Sequence, residues 1–165
     1  MHALRSTAAL AALLLGVIAC TVSGAPRPAD TDAAADERAV TALAESVLVA
    51  ARARDAERFA SYFAPGDELV YLLNTTSRLS SQAALRDAFR RVLGRQQSFD
   101  PQWTDRRVQI LSPGAAVFTG AFGTAARDTS GARWAVRGVV TFAARRGAAG
   151  WRIVNWHTSE TAVAP

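Results

Sequence analysis

The apolar positions of this chain recur mostly at helical spacing up to Gly94 and at strand spacing from Phe99 onward, and that change divides it in two. From Ala33 to Arg54 they recur at helical spacing, with Val40, Leu43, Ala44, Val47, Leu48 and Ala51 on one face and Glu37, Arg38, Glu45 and Arg52 elsewhere. A long first helix is predicted, with Asp36 and Glu37 near its start and Arg52 and Arg54 near its end, as the helix dipole favours. Asp55 is the expected cap of a short second helix, in which Phe59, Tyr62 and Phe63 form an i, i+3, i+4 triplet before Pro65-Gly66 ends it. Glu68 to Asn74 reads as a short strand, with Leu69, Tyr71 and Leu73 on one face and Val70 and Leu72 on the other. After a polar loop over Thr75 to Ser81, Ser80 or Ser81 should cap a third helix. Its buried face is Leu85, Ala88, Phe89, Val92 and Leu93, and Gly94 is its expected stop.

From Phe99 onward the period falls to two. Segments 102–111, 115–127, 132–145 and 151–158 read as strands, separated by turns at Ser112-Pro113-Gly114, Asp128 to Gly131 and Arg146 to Gly150. Short turns between long strands predict an antiparallel meander, and Gly120 and Gly123 mark points where it bends. The fold class expected is α+β: three N-terminal helices packed on one face of a strongly curved antiparallel sheet. In the last strand, strict alternation puts Trp151, Ile153, Asn155 and His157 on one face and Arg152, Val154, Trp156 and Thr158 on the other. A histidine and an asparagine along an otherwise apolar strand point to a face that borders a pocket; the alternative is a surface or hydrogen-bonded core histidine.

Composition adds a compartment. Met1 to Arg5 is a short basic segment, and Ala8 to Ala19 is an apolar run too short for a membrane-spanning helix of roughly 20 residues. It suits the hydrophobic region of an export signal. The run ends Val17-Ile18-Ala19-Cys20, which resembles the lipobox of bacterial lipoproteins, and Cys20 is the only cysteine in the chain. A lone thiol forms no internal disulfide, whereas lipidation gives it a purpose; an ordinary secretory signal cut near Ala25 is the alternative. The expected organisation is a lipoprotein-type signal at 1–19, lipidated Cys20 with a flexible tether over 20–32, and one domain at 33–161. The expected location is the periplasmic face of the inner or outer membrane. The chain carries a net charge of +5, all its basic residues being arginine. The arginines are scattered without interleaved aromatics, so nucleic acid is not an expected partner.

The order helix, helix, strand, helix, four-strand meander resembles the SnoaL-like, nuclear transport factor 2-like superfamily. The residues that carry the likeness are Asp55 to Ala64, Leu85 to Phe89 and the ending Gly150-Trp151-Arg152-Ile153-Val154-Asn155-Trp156-His157-Thr158-Ser159. That ending is similar to the family's closing strand, often Gly-Trp-Arg-Ile-Val followed by a His-rich run and Ser. The resemblance covers about residues 36 to 160. It implies a cone-shaped, cystatin-like α+β barrel enclosing a pocket for small, mostly apolar molecules, although fold alone does not fix activity.

Catalytic relatives resembling steroid isomerases and polyketide cyclases place a carboxylate on the cavity wall, because proton abstraction beside a carbonyl needs a base and an oxyanion donor in a dry site. Here the corresponding strand reads Leu69-Val70-Tyr71-Leu72-Leu73 with no carboxylate, and Asp105, Asp128 and Glu160 fall at strand starts, turns or ends. The titratable candidates for the wall are His157, Tyr71 and Arg137. Three readings follow. The leading one is a lipid-anchored, exported binder of a small apolar or weakly acidic molecule, using Tyr71, Trp103, Phe118, Arg137, Asn155 and His157. The second is an isomerase, dehydratase or cyclase with His157 as base and Tyr71 as donor. The third is an assembly module that pairs as a homodimer through the outer sheet face. No cofactor is expected, and two histidines, one of them His2, offer no His-based metal site.

Overall fold

The computed structural model describes residues 29–75 and 77–164. The expected signal, Cys20 and the tether up to residue 28 lie outside the described residues. Three helices, α1 (Ala29–Arg52), α2 (Ala56–Ser61) and α3 (Gln82–Gly94), pack on a six-stranded sheet. Its strands are β1 (Val70–Leu73), β2 (Ser77–Leu79), β3 (Gln96–Ser112), β4 (Ala115–Asp128), β5 (Arg133–Gly147) and β6 (Gly150–Val163). The result is the expected curved α+β cone, with the sheet open at its edges.

Local chemistry sets the helix starts. The Asp55 carboxylate accepts the Arg58 backbone N–H at 2.9 Å, and the Ser81 hydroxyl accepts that of Ala84 at 3.1 Å, each satisfying an orphan donor of the first turn. Several boundaries differ from expectation, among them the start of β3 at Gln96 and the end of β6 at Val163. Helix α1 begins at Ala29, so the last residues assigned to the tether are helical; the acidic Asp32 in the first turn favours a start there. Gly94 is helical, and α3 ends through Arg95 in an ordinary right-handed conformation, because the chain passes directly into β3 at Gln96. The loop after β1 holds the short strand β2, formed as Asn74 takes a left-handed φ of 49° and folds the chain back.

The strand order is β2-β1-β6-β5-β4-β3. Neighbours pair antiparallel except β1 and β6, which run parallel, so the sheet is mixed rather than wholly antiparallel. The decisive irregularity is in β6. Ala144 pairs with Ile153 but Ala143 pairs with Asn155, leaving Val154 as an extra residue. This β-bulge reverses the alternation. Trp151 and Ile153 face the core before it; Trp156 and Thr158 face the core after it, and Asn155 and His157 turn outward. The helix that precedes the sheet holds the bulge in place: the Ile153 N–H donates to the Tyr62 carbonyl at 3.0 Å, and the Ala64 N–H donates to the Ile153 carbonyl at 2.8 Å.

With that reversal, four rings fall directly opposite one another across four strands. Phe118 pairs with Phe142, Phe142 with Trp156, and Trp156 with Tyr71. Their centroids are 4.6, 5.5 and 6.0 Å apart and their planes within 10° of parallel. Each such pair contributes about 0.5–1.5 kcal/mol beyond the area it buries. The helices close over this floor. Phe59 of α2 stacks on Phe89 of α3 at 3.8 Å, and α1 lies along β3, where the Arg52 Nε donates to the Pro101 carbonyl at 2.9 Å. At the other end of α1, buried Asp36 accepts from Arg146 at 2.6 Å, and the Arg146 guanidinium lies 5.8 Å from the Trp151 ring.

Two glycines leave space for rings laid against the sheet. A Cβ on Gly138 would stand 2.8 Å from the Phe122 ring and press on the Ser159 carbonyl, and one on Gly120 would stand 2.8 Å from the Phe118 ring. Gly138→Ala is therefore expected to destabilise the fold by about 1–3 kcal/mol, read from urea or thermal unfolding. Gly123→Ala is the matched control, since its added methyl would meet only the Val136 carbonyl at 4.0 Å; a cost equal to that of Gly138→Ala would contradict this account. Arg146→Ala should cost about 1–3 kcal/mol, because it leaves the buried Asp36 carboxylate without its charged donor.

Candidate functional site

Between the helices and the inner face of the sheet is a cavity of about 420 Å³. Helix α1 contributes Val47, Leu48 and Ala51, α2 contributes Phe59, and α3 contributes Phe89, Arg91 and Val92. The sheet contributes Tyr71, Phe99, Trp103, Phe122, Trp134, Val136, Val140 and Trp156, with the polar side chains Thr124, Thr158 and Glu160 among them. A larger surface depression of about 540 Å³ beside the β5–β6 turn includes Glu57, Glu68, Arg86 and Arg145. Four of its charged side chains pair with one another, Arg86 with Glu57 and Arg145 with Glu68, as at a solvated surface. The apolar cavity is the candidate site.

The expected site residues divide cleanly. Tyr71 and Trp103 line the cavity. Phe118 is fully buried beneath it, against Trp103 and Phe142. Asn155 and His157 are exposed on the outer face of the sheet, put there by the bulge at Val154, so His157 is not a wall base. Arg137 is also exposed on the outer face, because β5 turns Trp134, Val136 and Val140 inward. The pairing of His157 with Tyr71 as base and donor therefore does not occur.

The carboxylate that shares the cavity with Tyr71 is Glu160. Strand β6 runs to Val163, and its period of two carries on through Trp156, Thr158 and Glu160, all on the cavity side. That regular spacing was the signal available in the sequence; ending the strand at Thr158 hid it. Asn74 fixes this segment, accepting the Glu160 backbone N–H at 2.8 Å and donating its own N–H to the Thr158 carbonyl at 2.7 Å. The Trp156 indole N–H donates to the Thr158 hydroxyl at 2.5 Å.

The electrostatics follow from burial. The Tyr71 phenol is pushed well above its ordinary value, first by burial and next by the negative charge of Glu160, against smaller opposing hydrogen bonds with Thr158 and Trp156. It stays protonated, a neutral donor. Burial also raises the Glu160 carboxyl above its ordinary range. A protonated phenol and a carboxyl group lining one apolar hollow can act together on a ligand, the phenol donating to an oxygen while the carboxylate accepts a proton or pairs with a cation. The Trp103 indole N–H is buried without a hydrogen-bond partner among the described residues. No group of three or more His, Cys, Asp or Glu suited to a metal ion occurs among the described residues.

The raised Glu160 carboxyl has a consequence for stability. The folded chain holds that proton more tightly than the unfolded chain, so the contribution is fully present below the ordinary carboxyl range and is lost as pH rises through the raised value. Glu160→Gln removes this loss. The variant should show a higher urea midpoint than the wild type at pH 7, and the two should converge below about pH 4. Equal midpoints at pH 7 would contradict the burial of this carboxyl.

A model of the SnoaL-like domain matches residues 40–164 of the chain. No curated protein matches it. Among solved structures, hexachlorocyclohexane dehydrochlorinase LinA-type3 from Novosphingobium barchaimii superposes with a TM-score of 0.70 at 18% identity, over 82% of this chain and 94% of that one. A candidate scytalone dehydratase from Novosphingobium aromaticivorans gives 0.73 at 9% identity, over 82% and 92%. A conserved protein from Planctomyces limnophilus gives 0.70 at 20% identity, over 79% and 99%. At these identities the structural likenesses concern the fold.

Proposed function

The chain belongs to the SnoaL-like family, and from that premise we propose that it is a binding domain for a small, largely apolar molecule held in the aromatic cone. The observation that carries this reading is the cavity of about 420 Å³, whose wall is aromatic and aliphatic with a few polar groups, Tyr71, Thr158 and Glu160 among them. That combination of volume, apolar lining and a few placed polar groups is the usual anatomy of a small-molecule site. The leader and Cys20 favour an exported protein held at a membrane surface by lipid on that thiol.

A second reading has its own observation. The carboxylate missing from β1 is supplied from β6, because Glu160 shares the cavity with Tyr71. An isomerase, dehydratase or cyclase with Glu160 as base and Tyr71 as donor would use the cone in the same place.

Native mass spectrometry of the purified protein is expected to show a co-purified small molecule. Trp103, Trp134 and Trp156 line the cavity, so their fluorescence should change as that molecule is added back. A purified protein with no guest and no ligand-dependent tryptophan signal would refute binding in the cone. In a pure binder, Tyr71→Phe and Glu160→Gln leave the apolar molecule bound; in an enzyme they lower turnover by about 10²–10⁴-fold. Cys20→Ser is expected to release the protein from the membrane fraction, and retention there would exclude the lipid anchor.

A further inference from the structure

The cavity is charged at two positions only, Glu160 and Arg91. Arg91 is exposed on α3, whereas Glu160 is half-buried on the aromatic floor, on the same face of β6 as Trp156. The chain has 19 basic residues against 14 acidic ones, and its other acidic side chains are frequently matched. Asp36 pairs with Arg146, Glu45 with Arg106, Glu57 with Arg86 and Arg90, Glu68 with Arg145, and Asp100 with Arg52. Among the described residues, no arginine or histidine pairs with Glu160 within 4.0 Å. A carboxylate left without a cation in an apolar hollow is costly, and it marks a position where a cation from outside would be favoured. The walls around it point the same way. Tyr71, Phe99, Trp134 and Trp156 share the lining with Glu160, and the negative face of an aromatic ring attracts a cation and repels an anion.

We propose that the cone selects a lipophilic amine in its protonated form, with the ammonium group at Glu160 and the apolar body among the rings. This rests on the cavity being a small-molecule site, and it narrows the ligand class. A carboxylic acid would bring its charge against Glu160 and the ring faces, which excludes weakly acidic ligands. A neutral molecule of the same shape would fill the hollow but leave Glu160 unpaired.

Calorimetric titration of the full-length chain with three naphthyl probes of matched shape tests this: 1-naphthylmethylamine, neutral 1-naphthylmethanol and anionic 1-naphthoate. The amine should bind at least about tenfold more tightly than the alcohol, equivalent to about 1.4 kcal/mol, and the naphthoate should bind most weakly. Glu160→Gln should bring the amine to the alcohol's affinity measured on the same variant, with a cooperative urea transition showing that the variant is folded. Binding of the alcohol or the naphthoate as tightly as the amine would overturn the proposal and leave the cone as a binding site. So would an amine preference that survives Glu160→Gln. Failure of all three probes to bind the wild type would sink both the amine and the cavity.

Discussion

The structure depends on the row of rings Phe118, Phe142, Trp156 and Tyr71 across the inner face of the sheet. A strongly curved sheet brings inward side chains together, and flat, nearly parallel rings fill that space without polar atoms to satisfy. The row exists only because β6 carries one extra residue at Val154. Without it, the half of β6 beyond Ile153 would show its other face: Asn155 and His157 would enter the core and Trp156 would leave it. Backbone hydrogen bonds from β6 to the end of α2 hold the bulge at Ile153, so a six-residue helix sets the register of the strand that bounds the cavity.

The hollow itself comes from where the rings lie. Phe122 rests against Gly138 and Phe118 against Gly120, positions at which any side chain would force the ring away from the sheet. Rings laid flat on the floor, and helices held off it by Phe59 and Phe89 stacked on each other, leave room that a conventional core would fill. Burial then does the electrostatic work, keeping Tyr71 protonated and raising the Glu160 carboxyl in the same small volume.

The legible and the hidden parts of this chain differ in range. The helix caps at Asp55 and Ser81, the apolar stripe of α1 and the four long strands are local features, and the residues within a few positions determine them. The family resemblance rested on that order of elements, and it led to the right fold. The pairing of β1 with β6 was hidden because its partners are far apart in the chain, Tyr71 with Trp156. The bulge was hidden for a different reason. Ile153-Val154-Asn155 has no glycine or other local mark, so simple alternation ran through it and placed His157 on the wrong side. Glu160 lay beyond the point where the apolar residues of the strand stop, although its spacing from Trp156 was regular. Of the site, the aromatic half was readable and the charged half was not.

The contact between Asp36 and Arg146 also orients the molecule. It fastens the early part of α1 to the last residues of β5. Trp134, which helps to line the cavity, stands at the first residues of that same 15-residue strand. The early part of α1 is therefore moored at one pole of β5, and the apolar cavity extends from the middle of that strand toward the other pole.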